Sequence, residues 1–158
     1  MDNRFTMVDG FKLRKKVRSI LVNTSGQYLL IQPQTYADDN WTLVGGGVEH
    51  DEDFEQAIRR EIREETGIRD LISLCALKNP HWFCFSEKIK QDRLLDHDGQ
   101  FAMIVIGLVA ADTTVAVQAE EFRAYRWASS DELADLVQVP AQLRLIREAE
   151  QEVLSSLM

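Results

Sequence analysis

The chain has 158 residues, 45% apolar and 28% charged, enough for one globular domain to bury a core without disulfide or metal staples. The net charge is −8 and the pI about 4.9. Phosphate-backbone binding needs a basic face, so long nucleic acid is disfavoured, while a small anionic substrate whose charge is offset by metal ions is not.

In chain order, Met1-Asp2-Asn3-Arg4 leads into no apolar stretch, so no secretory signal is expected. The first dozen residues are polar and are expected to be a mobile segment, about 1–12, of a single domain spanning 1–158. Val17–Val22 and Tyr28–Ile31 read as strands, joined by a hairpin turn over Asn23-Thr24-Ser25-Gly26. Pro33–Asn40 is a polar loop, and Trp41–Val44 a short strand leading into Gly45-Gly46-Gly47.

A helix should begin near Asp53, capped by Asp51 or a neighbour. Phe54, Ala57, Ile58 and Ile62 form its apolar stripe, and Gly67 suits a left-handed cap at its end. Leu71–Leu77, His81–Phe85 and Phe101–Val109 read as strands, with a charged loop at 88–100. The apolar run 101–111 is the longest in the chain, too short to cross a bilayer, and no membrane association is expected. Tyr125-Arg126-Trp127 is the core of another strand. Ser129 or Ser130 caps a short helix, and Pro140 precedes a last one over Ala141–Leu154 with Leu143, Ile146, Ala149 and Val153 at helical period. These elements predict an α/β domain, a mixed sheet with a helix packed on either side. Cys75 and Cys84 have no framework spacing and read as reduced thiols on adjacent strands of a cytoplasmic protein. A homodimer is allowed.

The densest chemistry is on the first helix. Glu61, Glu64 and Glu65 are spaced i, i+3 and i+4, so they fall within an arc of roughly 100°. Anions so placed repel one another and cost helix stability. A hard divalent cation, Mg²⁺ or Mn²⁺, resolves that repulsion through oxygen ligands; a solvated helix face paired with Arg59, Arg60 and Arg63 is the alternative. A backbone carbonyl approaches a metal best where no side chain intervenes, which the glycine triplet provides. His50, His81 and His97 show no zinc spacing with the cysteines.

The segment Gly46–Ile68 resembles the Nudix box of the Nudix hydrolases. That pattern is Gly, five residues, Glu, seven residues, then Arg-Glu-apolar-any-Glu-Glu-any-Gly-apolar. Gly46, Glu52, Arg60, Glu61, Glu64, Glu65 and Gly67 meet every fixed position, and Ile62 and Ile68 the apolar ones. The resemblance implies a Nudix-type α/β/α sandwich with a mixed central sheet. It implies Glu61 and Glu65 as metal ligands, Glu64 as a ligand directly or through water, and the Gly45 carbonyl as a further ligand. A Glu52–Arg60 pair and Gly46 would support the site. The chain has Val44 where relatives commonly have proline, which leaves the loop looser. Glu120 and Glu121 precede Trp127, and by similarity Glu121 is the acid that completes the metal set or serves as base, the other candidate base being Glu64. Trp41 is either a pocket wall or core. Among Arg14, Lys15, Lys16 and Arg18, one can face a phosphate, but nothing in the sequence selects which.

The implied activity is metal-dependent hydrolysis of a diphosphate linkage in a nucleoside diphosphate joined to another group, with a nucleoside triphosphate or dinucleoside polyphosphate favoured. A non-catalytic Nudix-fold module that binds a nucleotide or a protein is the alternative.

Overall fold

The computed structural model describes residues 2–35, 40–137 and 139–157, with side chains to residue 152. Residues 36–39 of the expected polar loop and the side chain of Val153 lie outside the described residues. Strand β2 (Phe11–Asn23) organises the sheet and is longer than the apolar run that announced it. It pairs with β1 (Phe5–Val8), β3 (Tyr28–Pro33), β4 (Val44–Gly47) and, in parallel, β7 (Gly99–Val109). β5 (Ser73–Ala76) and β6 (His81–Cys84) lie along the far side of β7, and β8 (Phe122–Ala128) pairs with β3.

The mobile segment expected at 1–12 is corrected. Val8 pairs with Phe11 across Asp9 and Gly10, whose φ values are +51° and +83°. Two left-handed residues in a two-residue loop make the type I′ turn, which Asp-Gly favours and whose twist matches that of the flanking strands. The hairpin at Asn23–Gly26 forms as expected: the Asn23 side-chain oxygen accepts from the N–H groups of Ser25 and Gln27, and Gly26 has φ +78°.

Side-chain alternation along β2 divides the core. Val17 and Leu21 face helix α1 (Phe54–Thr66), where they meet Ala57, Ile58 and Ile62. Ile20 faces the other way, towards Leu133 of α3 (Leu133–Leu136) and Leu145, Ile146 and Ala149 of α4 (Pro140–Leu157). The result is the expected α/β/α sandwich around a mixed sheet.

Helix α1 starts one residue after its cap. Asp53 accepts from the Gln56 N–H while the Gln56 side chain accepts from the Asp53 N–H, a reciprocal box. Gly67 closes the helix at φ +74° with its N–H on the Arg63 carbonyl.

Three further expectations are corrected. The charged loop at 88–100 contains helix α2 (Glu87–Asp92), capped by Ser86, and its last residues already belong to β7. The glycine triplet is itself strand, not loop, because β2 supplies its pairing. Cys75 and Cys84 are on strands that share β7 but not each other: Cys75 lies opposite Ile106 and Cys84 opposite Gly99. Those positions are about 23 Å apart along the strand, far beyond disulfide reach. Among the described residues no helix is long and apolar enough to cross a membrane.

Candidate active site

Strand β4 and helix α1 meet edge to face, and the acids gather there. Gly46 lies opposite Val17 on the α1 face of the sheet. The Glu61 carboxylate rests directly against it, so that a side chain at position 46 would collide with both carboxylate oxygens. Gly45 N–H donates to Oε2 of Glu65 at 3.0 Å. In an antiparallel pair the N–H and C=O of a residue leave from the same side of its strand. Gly45 therefore turns both groups away from β2, and Gly47, two residues on, does likewise: its carbonyl accepts from Nη2 of Arg60 at 2.9 Å.

Glu65 is only 7% exposed. Burial pushes its pKa up to about 8; the neighbouring Glu61 and, more weakly, Glu121 add to the shift, and the Gly45 N–H and Arg18 oppose it. Burial also raises Glu61, against the pull of Arg60. Two acids that resist ionisation side by side form a site short of positive charge.

Arg60 fastens the remainder. Its guanidinium bonds both oxygens of Glu52, at 2.6 and 2.8 Å, and reaches Glu61 at 3.0 Å and Glu64 at 3.1 Å. Glu52 in turn accepts from the Glu49 N–H at 2.8 Å, tying the segment before the helix to α1. The pairing holds Glu52 below the usual carboxylate range and Arg60 above its own.

The other sequence candidates fall as follows. Glu121 is exposed, but its backbone is pinned: its N–H donates to the Gln118 carbonyl at 3.1 Å and its carbonyl accepts from the Gln34 N–H at 2.8 Å. It stands within electrostatic reach of Glu65. Trp41 is partly buried against the α3–α4 core, with its N–H on the Leu136 carbonyl at 3.2 Å. His81 bonds Glu148 of α4 and His50 bonds Asp2. Lys90 pairs with Asp98. The sequence reading did not single out Lys16, which feels Glu61, or Arg18, which feels Glu65. Period-two alternation from Val17 was the signal that put both on one face.

Among the described residues no three His, Cys, Asp or Glu side chains are already grouped as a metal cage, and Arg60 holds Glu61 and Glu64 with one nitrogen. The donor chemistry nonetheless fits a hard divalent ion: all-oxygen groups, one of them the buried Glu65 and another the partly buried Glu61, beside a strand edge whose carbonyl no side chain of its own screens.

Comparison with known proteins gives the family and the fold. The family model of the NUDIX domain matches residues 12–152. The nucleoside triphosphatase NudI of Escherichia coli is 34% identical over 122 residues, covering 72% of this chain and 80% of that protein; NudI of Shigella flexneri matches equally. Among solved structures, the E. coli dihydroneopterin triphosphate pyrophosphohydrolase superposes with a TM-score of 0.70 at 19% identity, over 85% of this chain and 92% of that one. A C. elegans Ap4A hydrolase gives 0.67 at 17%, over 89% and 98%. At those identities the two structures speak for the fold alone.

Proposed function

The chain belongs to the Nudix hydrolase family, and from that premise we propose that it is a pyrophosphohydrolase that cleaves the diphosphate linkage of a nucleoside triphosphate with Mg²⁺ or Mn²⁺. The observation that carries the reading is the buried Glu65 carboxylate beside Glu61 at the edge of the glycine strand. The NudI relatives favour a nucleoside triphosphate over a dinucleoside polyphosphate. A small-molecule nucleotide is the partner, and the two exposed, well-separated thiols suit a cytoplasmic setting.

Glu61, Glu65 and the Gly45 carbonyl would hold the metal, with Glu64 and Glu121 as further oxygen donors. The metal would supply charge neutralisation and polarisation at phosphorus. In the reaction, the oxygen of water forms a bond to phosphorus as the bridging P–O bond breaks, and a carboxylate takes the proton of the attacking water. Glu64 has one carboxylate oxygen occupied by Arg60; Glu121 carries no such partner among the described residues and is held in place by its backbone. Glu121 is therefore the base in this reading, and Arg60, Glu52 and Gly46 are positioning residues.

The deciding experiment is a product assay over nucleoside triphosphates, dinucleoside polyphosphates and nucleoside diphosphate sugars, with and without Mg²⁺. Mg²⁺-dependent release of pyrophosphate and nucleoside monophosphate from a triphosphate is expected. Binding without turnover across the panel would instead identify a non-catalytic module.

Within that assay, Glu121→Gln should lower kcat by about 100-fold or more, the range for loss of a general base, with KM nearly unchanged. Glu120→Gln should be mild. The reverse order would shift the role to Glu120, and mild effects at both would return it to Glu64.

Metal and proton should also compete for Glu65. Ligands bind metal deprotonated, and the Glu65 pKa of about 8 keeps it largely protonated at lower pH without metal. The rise in melting temperature with millimolar Mg²⁺ should therefore be small near pH 6 and larger near pH 8.5, with proton release seen as a buffer-dependent heat in calorimetry. A metal-induced shift indifferent to pH would contradict a protonated Glu65.

A further inference from the structure

From Arg14 to Arg18, β2 carries four cations whose surroundings the fold separates. Arg14 donates through Nη1 to the carbonyls of Arg4, Lys15 and Val48 at 3.1, 3.0 and 2.7 Å, and is committed to closing the sheet edge. Lys15 lies over the Phe54 ring at 4.9 Å, on the α1 face. Lys16 and Arg18 alternate to the opposite face. Among the described residues neither side chain has a hydrogen bond or ion pair.

Both stand beside the glycine strand, Lys16 opposite Gly47 and Arg18 opposite Gly45. The Arg18 side chain runs so close over Gly45 that a β-carbon there would be 3.1 Å from its Cδ. Lys16 is half-buried, and burial, with Arg18 and Arg14 nearby, disfavours its charge. A half-buried ammonium with no ion-pair partner, offset only by the more distant Glu61, carries a free-energy cost that a multiply charged ligand would relieve. The two cations are about 7 Å apart along the strand, close enough to grip neighbouring phosphates. A phosphate chain approaching Glu61 and Glu65 from the α1 side meets acids whose nearest cation, Arg60, is already bonded to Glu52, Glu61 and Glu64. Crossing the thin β4 edge, which glycines keep free of side chains, it meets positive charge on the other face.

We propose that Lys16 and Arg18 hold the phosphate chain of the substrate on the sheet face away from α1, so that the scissile linkage crosses the β4 edge to the Glu61–Glu65 pair. This deepens, and rests on, the nucleotide reading above.

The test pairs steady-state kinetics on a nucleoside triphosphate with calorimetric titration of its α,β-methylene analogue in Mg²⁺. Lys16→Met and Arg18→Met should each raise KM at least ~10-fold, as loss of a charged hydrogen bond does, with a smaller change in kcat. Affinity for the analogue should fall by a similar factor. Lys16→Arg should restore most of it, and Lys15→Met, on the other face, should leave both readouts unchanged. The melting temperature of Lys16→Met should not fall, since a poorly solvated charge is removed. Unaltered analogue affinity in both methionine variants, or no analogue binding by the parent, overturns the proposal. The two readings fail differently. Turnover with unaltered affinity in the variants rejects the phosphate grip alone, and Lys16-dependent binding without turnover of any nucleotide rejects hydrolysis alone.

Discussion

Glu65→Gln should cut turnover at least ~100-fold and leave the protein folded. Changing a residue that merely hydrogen-bonds a metal ligand already costs about 10–100-fold, and here a buried oxygen donor is itself neutralised. Glutamine keeps the shape and can still accept the Gly45 N–H through its carbonyl oxygen, so the β4–α1 junction should survive. The pH dependence of stability carries a second signature. Without metal, the folded Glu65 pKa of about 8 lies above its unfolded value near 4.5. Its contribution to stability is fully present below the unfolded value and is lost as pH rises through about 8. The glutamine variant lacks that loss. Its melting temperature relative to the parent in EDTA should therefore climb between about pH 5 and about pH 8.5. Near-normal kcat in the variant, or a constant difference across that range, would remove Glu65 from the centre of the site.

Arg60→Met should be the most destabilising single change in the acidic end. Arg60 is 18% exposed and Glu52 13%, so their ion pair is mostly out of water. Removing one partner of such a pair costs about 3–5 kcal/mol, because the other charge stays behind. Three more acceptors, Gly47, Glu61 and Glu64, lose their donor at once. For a chain of this size that is a fall of roughly 6–20 °C in melting temperature. Glu64→Gln touches only an exposed pair and should shift it little. Turnover in Arg60→Met should fall too, since Glu61 loses the contact that orients it. A melting temperature within a degree or two of the parent would mean that the loop before α1 is held by something else.

How far the sequence exposes this site depends on the range of each interaction. Helix α1, its Gly67 terminus and the three acids on one face follow from neighbours within a turn, and all were readable. The Glu52–Arg60 pair joins residues eight apart, Glu52 lying ahead of the helix, and was readable only through the family resemblance. Gly45–Gly47 as strand was not readable: glycine has little strand preference of its own, and the pairing comes from β2, some thirty residues earlier. Burial of Glu65, which sets its acidity, likewise depends on the whole β4–α1 junction. The Asp9-Gly10 hairpin is a different case. Its signal is local, and the polar character of the surrounding residues concealed it. For Lys16 and Arg18 the strand period was present, but selecting them required knowing that Arg14 and Lys15 are engaged elsewhere.

The parallel register of β2 with β7 has a consequence for how the chain comes to be folded. Leu13 to Asn23 wait for partners about 86 residues further along, Gly99 to Val109. Everything that frames Glu61, Glu64 and Glu65, from β2 through β4 to the end of α1, is complete by Gly67. A nascent chain thus holds these helix acids and their frame early, Glu121 arriving later, while one flank of β2 stays an open template for strand addition until β7 is synthesised. Long-range parallel pairing is slow to close, so insertion of β7 should limit the folding rate, and substitutions at the β2–β7 seam, such as Ile104→Ala, should slow refolding more than equally destabilising changes on α1.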